Sequence, residues 1–406
     1  MSRTRISFDE AHAIIDRVAA AGQLPAQRVG LSRAHGHVLA ADVVATIAQP
    51  PFDNSAMDGF ALRHADLQAG GGTTLRLVGE QFAGRAIALE VGAGECARIT
   101  TGAPLPAGTD TVVMKENTRV EGDQVSVLEA PPPHRHVRRA GEDTSAGERI
   151  LHAGDVLTPA RIALAASQGL AELDVVRRPT VAVFTTGDEL VEPGLPLEPG
   201  QIYNSNREQL MGLLRADGLE PVAWPTLPDD PAQVESALRH AGHAFDVVLT
   251  CGAVSAGEKD HIPALLQAQG NVHFWKVRMK PGMPVLFAGG GGLGDALFLC
   301  LPGNPVSVLA TWLALGRPLL DRLQGRAAAR PHWRARLARP WCKTNERLEF
   351  LRGRLQSGDD GSLEVEPNPA DGSHRMRAAA DSDALIVLAE GARDYAAGTV
   401  VDVLPY

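Results

Sequence analysis

The sequence predicts a multidomain protein that combines an α/β domain with two β-rich regions. Three changes of pattern along the 406 residues support this division. Short apolar runs separated by Gly, Pro and Asp fill residues 52–137 and are typical of a small all-β module. From Pro179 to about Gln324, apolar strands alternate with helical patterns, which predicts a parallel, doubly wound sheet. After Gln324 the alternation stops, and the remaining short strands predict a small β-barrel or sandwich.

The composition argues against several classes of protein. Lys and Arg number 39 against 48 Asp and Glu, so the formal net charge is −9 and we do not expect a nucleic-acid-binding protein. The four cysteines are far apart and form no CxxC pair, which favours a reducing compartment over a disulfide framework or zinc ribbon. We see no signal-peptide pattern, and no apolar run approaches the roughly 20 residues of a membrane span. We therefore expect a cytoplasmic protein without a membrane partner.

Two helices are marked by their first residues. Ser7-Phe-Asp-Glu10 has the spacing of a capping box, and apolar residues at helical spacing extend this predicted helix to about Ala21. Thr158-Pro159 predicts a second helix, with Thr as its cap and Pro at its first position. Between the two helices we predict strands at Val43–Ile47, Thr74–Val78, Ile87–Val91, Cys96–Ile99, Thr111–Met114 and Gln124–Leu128.

The α/β region contains strands whose continuous apolar sequence suits burial on both faces. The predicted strands are Val181–Phe184, Val222–Trp224, Val247–Leu249, Val272–Val277, Val285–Ala288 and Leu297–Leu301. Ligands of such sheets bind beyond the carboxyl ends of the strands, where the loops at Thr186, Gly252 and Pro302 lie. The strands predicted after this region are Arg336–Leu337, Leu348–Leu355, Leu363–Pro367, Ala384–Leu388 and Thr399–Leu404.

Two loops of the α/β region carry acidic residues. Thr186-Gly-Asp-Glu189 offers backbone N–H groups and two carboxylates, which suit a hard cation such as Mg²⁺. The alternative is a helix cap or a solvated turn. Gly252-Ala-Val-Ser-Ala-Gly-Glu-Lys-Asp260 has small residues that let backbone approach a ligand closely. The alternative is an ordinary loop with Asp260 as a helix cap.

Basic residues and a helix start suggest an anion site in the same region. Lys276, Arg278 and Lys280 alternate along one predicted strand, so all three side chains are expected on one face, where they would suit an oxyanion. A solvated strand face is the alternative. Leu301-Pro-Gly-Asn-Pro-Val-Ser307 presents N–H groups at a helix start, or is a rigid connection.

The β-rich module has polar loops of its own. Phe52–Phe60, Thr100–Asp110 and Arg138–Asp143 are rich in Asp, Thr and Arg, and each has an alternative interpretation as a turn or a solvated loop. His134 and His136 could bind a metal ion, although a His pair in a Pro-rich loop usually does not.

Eight stretches follow one another in the order of a known family. They are PPFDNSAMDGFA (50–61), TGAPLPAGTDTVV (101–113), RRAGED (138–143), TTGDEL (185–190), YNSNR (203–207), SAGEKD (255–260), MKPGMP (279–284) and LPGNPVS (301–307). The set resembles the molybdopterin molybdenumtransferases, the family of MoeA and the gephyrin E domain, over about residues 8–405.

This resemblance implies a reaction and an architecture. Members insert molybdate at the dithiolene sulfurs of adenylylated molybdopterin and release AMP with Mg²⁺ present, the last step of molybdenum cofactor biosynthesis. The implied domains are an elongated linker and dimerisation domain (1–48 and 146–178), a β-rich lobe (49–145), a molybdopterin-binding α/β domain (179–325) and a C-terminal β-barrel (326–406). Members are homodimers whose sites are each completed by the β-rich lobe of the other chain. Molybdopterin adenylyltransferase and molybdoenzyme maturation factors are the further partners that the resemblance suggests.

Matching positions carry the family's site to this chain. The implied catalytic residues are Glu189, Asp188, Asp58, Asp143, Thr101 and Asp229, of which Glu189, Asp188 and Asp229 would face Mg²⁺ as metal ligands. The implied substrate-binding residues are Asp260, Lys276, Lys280, Arg138, Ser255, Gly257, Gly252, Pro302, Gly303, Asn304 and Ser307.

The chain departs from the family pattern at two positions of the site. Ala253 replaces a usual Gly and is expected to resist a backbone conformation that Gly adopts, and Met283 replaces a usual Lys. The Gly372-Ser-His374 motif is kept, although Arg375-Met-Arg377 replaces a run that typically contains Ser and Leu. The departures keep two alternatives open: a molybdopterin-binding or scaffold paralogue with weak or no turnover, and a tungstate-handling paralogue.

Overall fold

The computed structural model describes residues 3–254 and 261–406 of the chain. The chain forms two compact units, which are described separately. Unit 1 contains Met1–Ala40, Gly154–Thr158 and Glu172–Tyr406, and unit 2 contains Ala41–Ala153 and Pro159–Ala171. In the part of the chain that the structure describes, no helix is long and apolar enough to cross a membrane.

A seven-stranded sheet forms the centre of unit 1. Its strands, in spatial order, are Arg3–Ile6, Asn271–Val277, Leu286–Gly289, Leu297–Leu301, Val247–Cys251, Val181–Thr185 and Val222–Ala223. Leu286–Gly289 is antiparallel to both of its neighbours, and every other pairing in the sheet is parallel. The predicted α/β sheet is therefore confirmed, with one antiparallel strand inserted and an edge strand at Arg3–Ile6 that the sequence did not predict.

Helices cover both faces of this sheet. The helices of the described residues are α1 (Phe8–Ala21), α2 (Pro159–Ser167), α3 (Ser205–Ala216), α4 (Pro231–Ala244), α5 (His261–Gln269), α6 (Pro305–Thr311), α7 (Arg317–Leu323) and α8 (Met376–Ala380). A π-helical turn, Trp312–Gly316, joins α6 to α7. On one face, Val183 and Leu249 pack in a core with α1, α3, α6 and α7. On the other, Phe184 and Val248 pack with α4 and α5. Burial on both faces explains the continuous apolar strands.

The first helix begins where its capping box predicts. The Glu10 carboxylate accepts a hydrogen bond from the Ser7 backbone N–H at 2.9 Å, and the Ser7 hydroxyl oxygen accepts one from the Glu10 N–H at 3.2 Å. Ile14 and Ile15 lie on the buried face of the helix, which ends at Ala21 as predicted.

The prediction that Lys276, Arg278 and Lys280 share one strand face is wrong. The strand Asn271–Val277 ends before Arg278, and Lys276 within it has a positive φ of 70°. Arg278 donates a hydrogen bond to Glu390 at 3.2 Å, whereas Lys280 belongs to a separate strand, Met279–Lys280, that pairs with the C-terminal sheet. Alternation along a strand holds only while the strand is continuous, and here the chain leaves one sheet for another.

The C-terminal region of unit 1 is a closed five-stranded β-barrel, which settles the choice between barrel and sandwich. Its strands are Trp333–Leu337, Leu348–Ser357, Leu363–Pro367, Ala384–Leu388 and Val400–Pro405. Leu348–Ser357 is long enough to pair with both Leu363–Pro367 and Ala384–Leu388, and these pairings close the barrel. The remaining strands of unit 1 form small sheets or extensions: Ala26–Gly30 with Glu172–Val176, Leu190–Val191 with Ile202–Tyr203, and Trp341–Lys343 with Arg393–Tyr395.

Unit 2 is built around a six-stranded sheet, together with α2. The strands, in spatial order, are Thr111–Met114, Gly59–Leu62, Glu95–Ile99, Thr73–Gln81, Gln124–Val127 and Thr118–Glu121. Two further pairs join Asn54–Ser55 to Val137–Arg138 and Val43–Val44 to Arg149–Leu151. The predicted strand at Ile87–Val91 is wrong: Glu90 makes an isolated bridge to Ala107, and the Ile87 side chain is left exposed. An apolar run without a neighbouring strand cannot form the repeated hydrogen bonds of a β-sheet.

Candidate functional site

A cavity of about 630 Å³ lies at the carboxyl ends of three central strands of unit 1. Its walls come from the loops that follow Val181–Thr185, Val247–Cys251 and Leu297–Leu301, with further residues from the start of α3 and from the segment before α8. The residues that line it include Thr186, Gly187, Glu189, Tyr203, Asn204, Asn206, Asp229, Gly252, Ala253, Pro302, Gly303, Asn304 and His374. The structure therefore brings together the three loops for which the sequence predicted a ligand.

The acidic side of the cavity comes from two loops. Glu189 and Asp229 line the cavity. Asp188 is exposed beside them, and its carboxylate accepts a hydrogen bond from the Asp229 backbone N–H at 3.1 Å. The turn is tight because Gly187 has a φ of 141°, and a Cβ there would lie 2.5 Å from Glu189 Oε2. The three carboxylates predicted to act together are thus held by neighbouring loops.

A second wall of the cavity consists of closely packed backbone. Gly252 has a φ of 92°, and the next residue, Ala253, has a φ of 47°. The expectation that Ala253 resists such a backbone is wrong, since Ala253 adopts a left-handed conformation despite its Cβ. Gly303 lies against Gly252, and the Gly303 carbonyl accepts a hydrogen bond from Asn206 Nδ2 at 2.6 Å.

The start of α6 contributes three of the four residues predicted from the LPGNPVS stretch. Pro302, Gly303 and Asn304 line the cavity, and Asn304 is the N-cap residue of α6 without a side-chain capping bond. Ser307 is buried in the helix, where its carbonyl accepts a hydrogen bond from Thr311 Oγ1 at 2.7 Å, and it is not a lining residue. Three further predicted substrate-binding residues, Ser255, Gly257 and Asp260, lie outside the described residues.

The two predicted lysines do not line this cavity. Lys276 Nζ lies 4.6 Å from the centroid of the Trp275 ring, an ordinary cation–π distance. Lys280 Nζ pairs with Glu349 at 2.8 Å and lies 3.7 Å from Asp371, so acidic residues of the C-terminal region already neutralise it. Local sequence patterns could not reveal these partners, because they lie about 70 to 90 positions further along the chain.

The remaining predicted residues lie on neighbouring segments of unit 2 and are called the unit 2 cluster: Asp58, Thr101, Arg138 and Asp143. Thr101 donates hydrogen bonds to Asp58 Oδ1 from its backbone N–H at 2.8 Å and from its hydroxyl at 3.0 Å. These two bonds, the backbone one foremost, lower the pKa of Asp58 below its ordinary value. Arg138 belongs to a strand that pairs with Asn54–Ser55, and the Asp143 N–H donates to the Gln49 carbonyl at 3.0 Å.

One ion pair, which the sequence did not single out, orders this second cluster. Asp53 pairs with Arg139 at 2.6 Å and accepts a hydrogen bond from the Ala140 N–H at 2.8 Å. The backbone bond to Ala140 is foremost among the contacts that lower the pKa of Asp53. The loop that carries Arg138 and Asp143 is thereby fastened to the PPFDNSAMDGFA stretch. Both residues of the pair lie inside motifs that the chain shares with the family it resembles, and this shared pattern is the sequence feature that could have identified them.

Several residues that line the unit 1 cavity were not predicted as site residues. Thr186, Tyr203, Asn206 and His374 are among them. Among the residues that the structure describes, Thr186 Oγ1 and Asn206 Oδ1 are buried and have no hydrogen-bond partner, which is uncommon in folded proteins. These four residues lie in motifs shared with the family that the sequence resembles. The motifs therefore indicated them, although arguments from single residues did not.

The acidic loops fit a metal ion only in part. Across residues 3–254 and 261–406, no group of three or more His, Cys, Asp and Glu side chains is arranged to hold a metal ion. Mg²⁺ commonly takes one or two protein carboxylates and completes its shell with water and substrate phosphates. Glu189 and Asp229, which both line the cavity, suit that partial role.

Comparisons with known proteins agree along the chain. The matching family models are the MoeA N-terminal region (domain I and II) over residues 6–169, the probable molybdopterin binding domain over 182–322 and the MoeA C-terminal region (domain IV) over 334–406. Molybdopterin molybdenumtransferase of Haemophilus influenzae is 40% identical over 381 residues, 93% of each chain. Molybdopterin molybdenumtransferase 2 of Mycobacterium tuberculosis is 39% identical over 92% of this chain and 94% of its own.

A solved structure extends the agreement to the fold. The molybdopterin biosynthesis MoeA protein of Pyrococcus horikoshii aligns with a TM-score of 0.85 and 27% identity, covering 99% of this chain and 100% of its own. Family models, close relatives and fold agree with the resemblance seen in the motifs. The chain belongs to the MoeA family of molybdopterin molybdenumtransferases.

Proposed function

We propose that this protein is a molybdopterin molybdenumtransferase that inserts molybdate into adenylylated molybdopterin and releases AMP, the last step of molybdenum cofactor biosynthesis. The observation that carries the proposal is the unit 1 cavity, which is lined by acidic loops and by closely packed backbone inside the region similar to a molybdopterin-binding domain. Relatives named for this activity span more than nine-tenths of the chain. Neither a binding-only nor a tungstate-handling paralogue is favoured.

The chemistry assigns different tasks to the two walls. The lack of side chains at Gly252 and Gly303 lets the backbone of this wall pack closely and leaves peptide groups at the cavity surface, which suits phosphate-bearing ligands. Releasing AMP breaks a phosphoanhydride, and Mg²⁺, when bound, would neutralise negative charge on the phosphates. Glu189 and Asp229 would hold that ion together with substrate oxygens, and Asp188 would orient the Asp229 backbone through its 3.1 Å hydrogen bond. Positioning, rather than covalent catalysis, is the protein's main contribution.

We further propose that the protein works as a homodimer with composite active sites. The unit 2 cluster supports this, because Asp58, Thr101, Arg138 and Asp143 are polar, grouped and largely exposed. An exposed polar group of this kind suits a surface that meets the cavity of a second chain. Arg138 would then supply a cation for molybdate or phosphate.

We also propose a cytoplasmic location, supported by the absence of any disulfide among the four cysteines. An adenylylated substrate requires an adenylyltransferase to make it, so a molybdopterin adenylyltransferase is the proposed upstream partner. Molybdoenzyme maturation factors would accept the finished cofactor.

The direct test is AMP release by the purified protein. Adenylylated molybdopterin is supplied with and without molybdate and Mg²⁺, and AMP is followed together with reconstitution of a molybdoenzyme. We expect AMP release that depends on both ions and that Glu189→Ala abolishes with less effect on pterin binding. AMP release no faster than in a protein-free control would refute the proposal, and equal loss of turnover and binding would refute a catalytic role for Glu189.

A further inference from the structure

A buried amide lies directly beneath the acidic loops of the unit 1 cavity. Asn204 is 1% exposed. Its Nδ2 donates hydrogen bonds to Thr185 Oγ1 at 2.7 Å and to Thr226 Oγ1 at 3.0 Å. Its Oδ1 accepts a hydrogen bond from the Arg207 backbone N–H at 3.3 Å, which caps α3. Both amide hydrogens of Asn204 are therefore committed to protein groups.

The two threonines begin the two acidic loops. Thr185 ends the strand Val181–Thr185, immediately before the turn that carries Asp188 and Glu189. Thr226 comes three residues before Asp229. Backbone bonds reinforce the link: the Leu227 N–H donates to the Thr185 carbonyl at 2.9 Å, and the Gly187 N–H donates to the Leu227 carbonyl at 3.3 Å. One amide thus joins the bases of both loops.

A second contact fastens the far side of the Glu189 turn. Both terminal nitrogens of Arg207 donate to the Glu192 carboxylate, one of them at 2.7 Å, and the Arg207 side chain is 13% exposed. Arg207 is the foremost cause that lowers the pKa of Glu192, with a smaller contribution from Thr226. Bidentate geometry makes such a pair directional as well as strong.

Backbone hydrogen bonds connect Glu189 to the segment that precedes α3. The Ile202 N–H donates to the Glu189 carbonyl at 2.9 Å, and the Asn204 N–H donates to the Val191 carbonyl at 2.9 Å. Glu192 directly follows Val191, and Arg207 lies three residues after Asn204, the N-cap of α3. The ion pair between Glu192 and Arg207 therefore joins the same two chain segments as the backbone bonds. The turn is held at its start by Asn204 and at its end by Arg207.

We propose that Asn204 and Arg207 are positioning residues that fix the separation between Glu189 and Asp229, so that both carboxylates meet the substrate at the distance that the reaction needs. This inference rests on the proposed transferase function. Neither side chain takes part in the reaction itself. Asn204 has no free donor, and Arg207 does not line the cavity.

The chain offers a matched control for the ion pair. Arg177 makes a bidentate pair with Asp246 at 2.8 and 2.7 Å, also partly buried. Asp246 immediately precedes the strand Val247–Cys251, so this pair lies at the amino end of the sheet, opposite the cavity. Lysine cannot reproduce either bidentate contact.

The test compares Asn204→Ala, Arg207→Lys and Arg177→Lys with the wild-type protein. For AMP release we expect kcat to fall about 10²-fold in the first two variants, because a displacement of about 1 Å has that effect. The dissociation constant for adenylylated molybdopterin, measured by titration calorimetry, should stay within about threefold, since pterin contacts remain. Arg177→Lys should lower the melting temperature as Arg207→Lys does, yet keep the wild-type kcat.

Crystal structures of the same variants give a readout that needs no turnover. We expect the Glu189 and Asp229 loops to move apart in Asn204→Ala and Arg207→Lys and to stay in place in Arg177→Lys. Unchanged loops would overturn the inference. So would a wild-type kcat in both variants, or a weakening of substrate binding in proportion to kcat, which would indicate direct contact with the ligand. Failure of the proposed function is distinct, since the wild-type protein itself would then release no AMP.

Discussion

Adding one methyl group at Gly252 should separate backbone strain from steric contact in the cavity wall. Gly252 has a φ of 92°, and a Cβ there would lie 2.9 Å from Thr186 Oγ1 and 3.0 Å from the Thr186 carbonyl oxygen. Gly200 has nearly the same φ, 91°, but its Cβ position has no non-neighbouring atom of the described residues within 4 Å. Gly252→Ala and Gly200→Ala therefore impose similar backbone strain, and only the first adds a collision.

These contacts give the expected difference in the free energy of unfolding between the two variants. A left-handed backbone costs an alanine about 1–2 kcal/mol, of which the reduced entropy of the unfolded chain returns about 0.4–1 kcal/mol. Gly200→Ala should therefore lower the free energy of unfolding by about 1 kcal/mol. At Gly252 the methyl group must also displace the Thr186 backbone, and overpacking of this kind adds about 1–3 kcal/mol.

Calorimetric melting and steady-state AMP release measure the two consequences. We expect Gly252→Ala to melt clearly below Gly200→Ala and to lose about 10²-fold in kcat, because the shifted wall displaces the substrate. Gly200→Ala should keep the wild-type rate. Equal melting temperatures for the two variants would refute the steric argument, and a wild-type rate in Gly252→Ala would refute the role of this wall.

Three further predictions concern single contacts. Thr101→Val removes the hydroxyl hydrogen bond to Asp58 and keeps the backbone hydrogen bond. The pKa of Asp58 should therefore rise part of the way to its ordinary value, so that the carboxylate takes up its proton at a higher pH. An unchanged titration midpoint of Asp58 by NMR would contradict this. Ser7→Ala removes the α1 capping box and should lower the free energy of unfolding, measured by calorimetry, by about 1 kcal/mol. An unchanged free energy of unfolding would show that the capping box does not stabilise the protein. Of the four cysteines only Cys342 is exposed, so a thiol reagent should label one group in the folded protein and four after unfolding; rapid labelling of a second thiol before unfolding would contradict the burial.

Local sequence patterns anticipated much of the fold. The strands Leu297–Leu301 and Leu363–Pro367 have the bounds that their apolar runs predict. The first helix ends at Ala21 because its cap and its periodicity agree. The acidic turn at Glu189 lies at a strand's carboxyl end, where topology alone places ligands. In each case the information is contained in a few neighbouring residues.

The parts that the sequence could not give depend on distant partners. Lys280 forms an ion pair at 2.8 Å with Glu349, which lies far along the chain, and no local pattern predicted that contact. Within the described residues, the apolar run at Ile87 pairs only through the isolated bridge from Glu90 to Ala107, which its local pattern could not reveal. The network around Asn204 was invisible for the same reason, since its members come from three separate segments.

The most direct measurement of the central claim, that the unit 1 cavity and the unit 2 cluster act as one site across a dimer, is complementation between two inactive variants. Asp58→Ala and Glu189→Ala chains are coexpressed with different affinity tags, and the mixed dimer is purified through both tags. If each site takes Glu189 from one chain and Asp58 from the other, the mixed dimer holds one intact site of two and should show about half of the wild-type molybdate-dependent AMP release. Activity no higher than that of either variant alone would contradict the account.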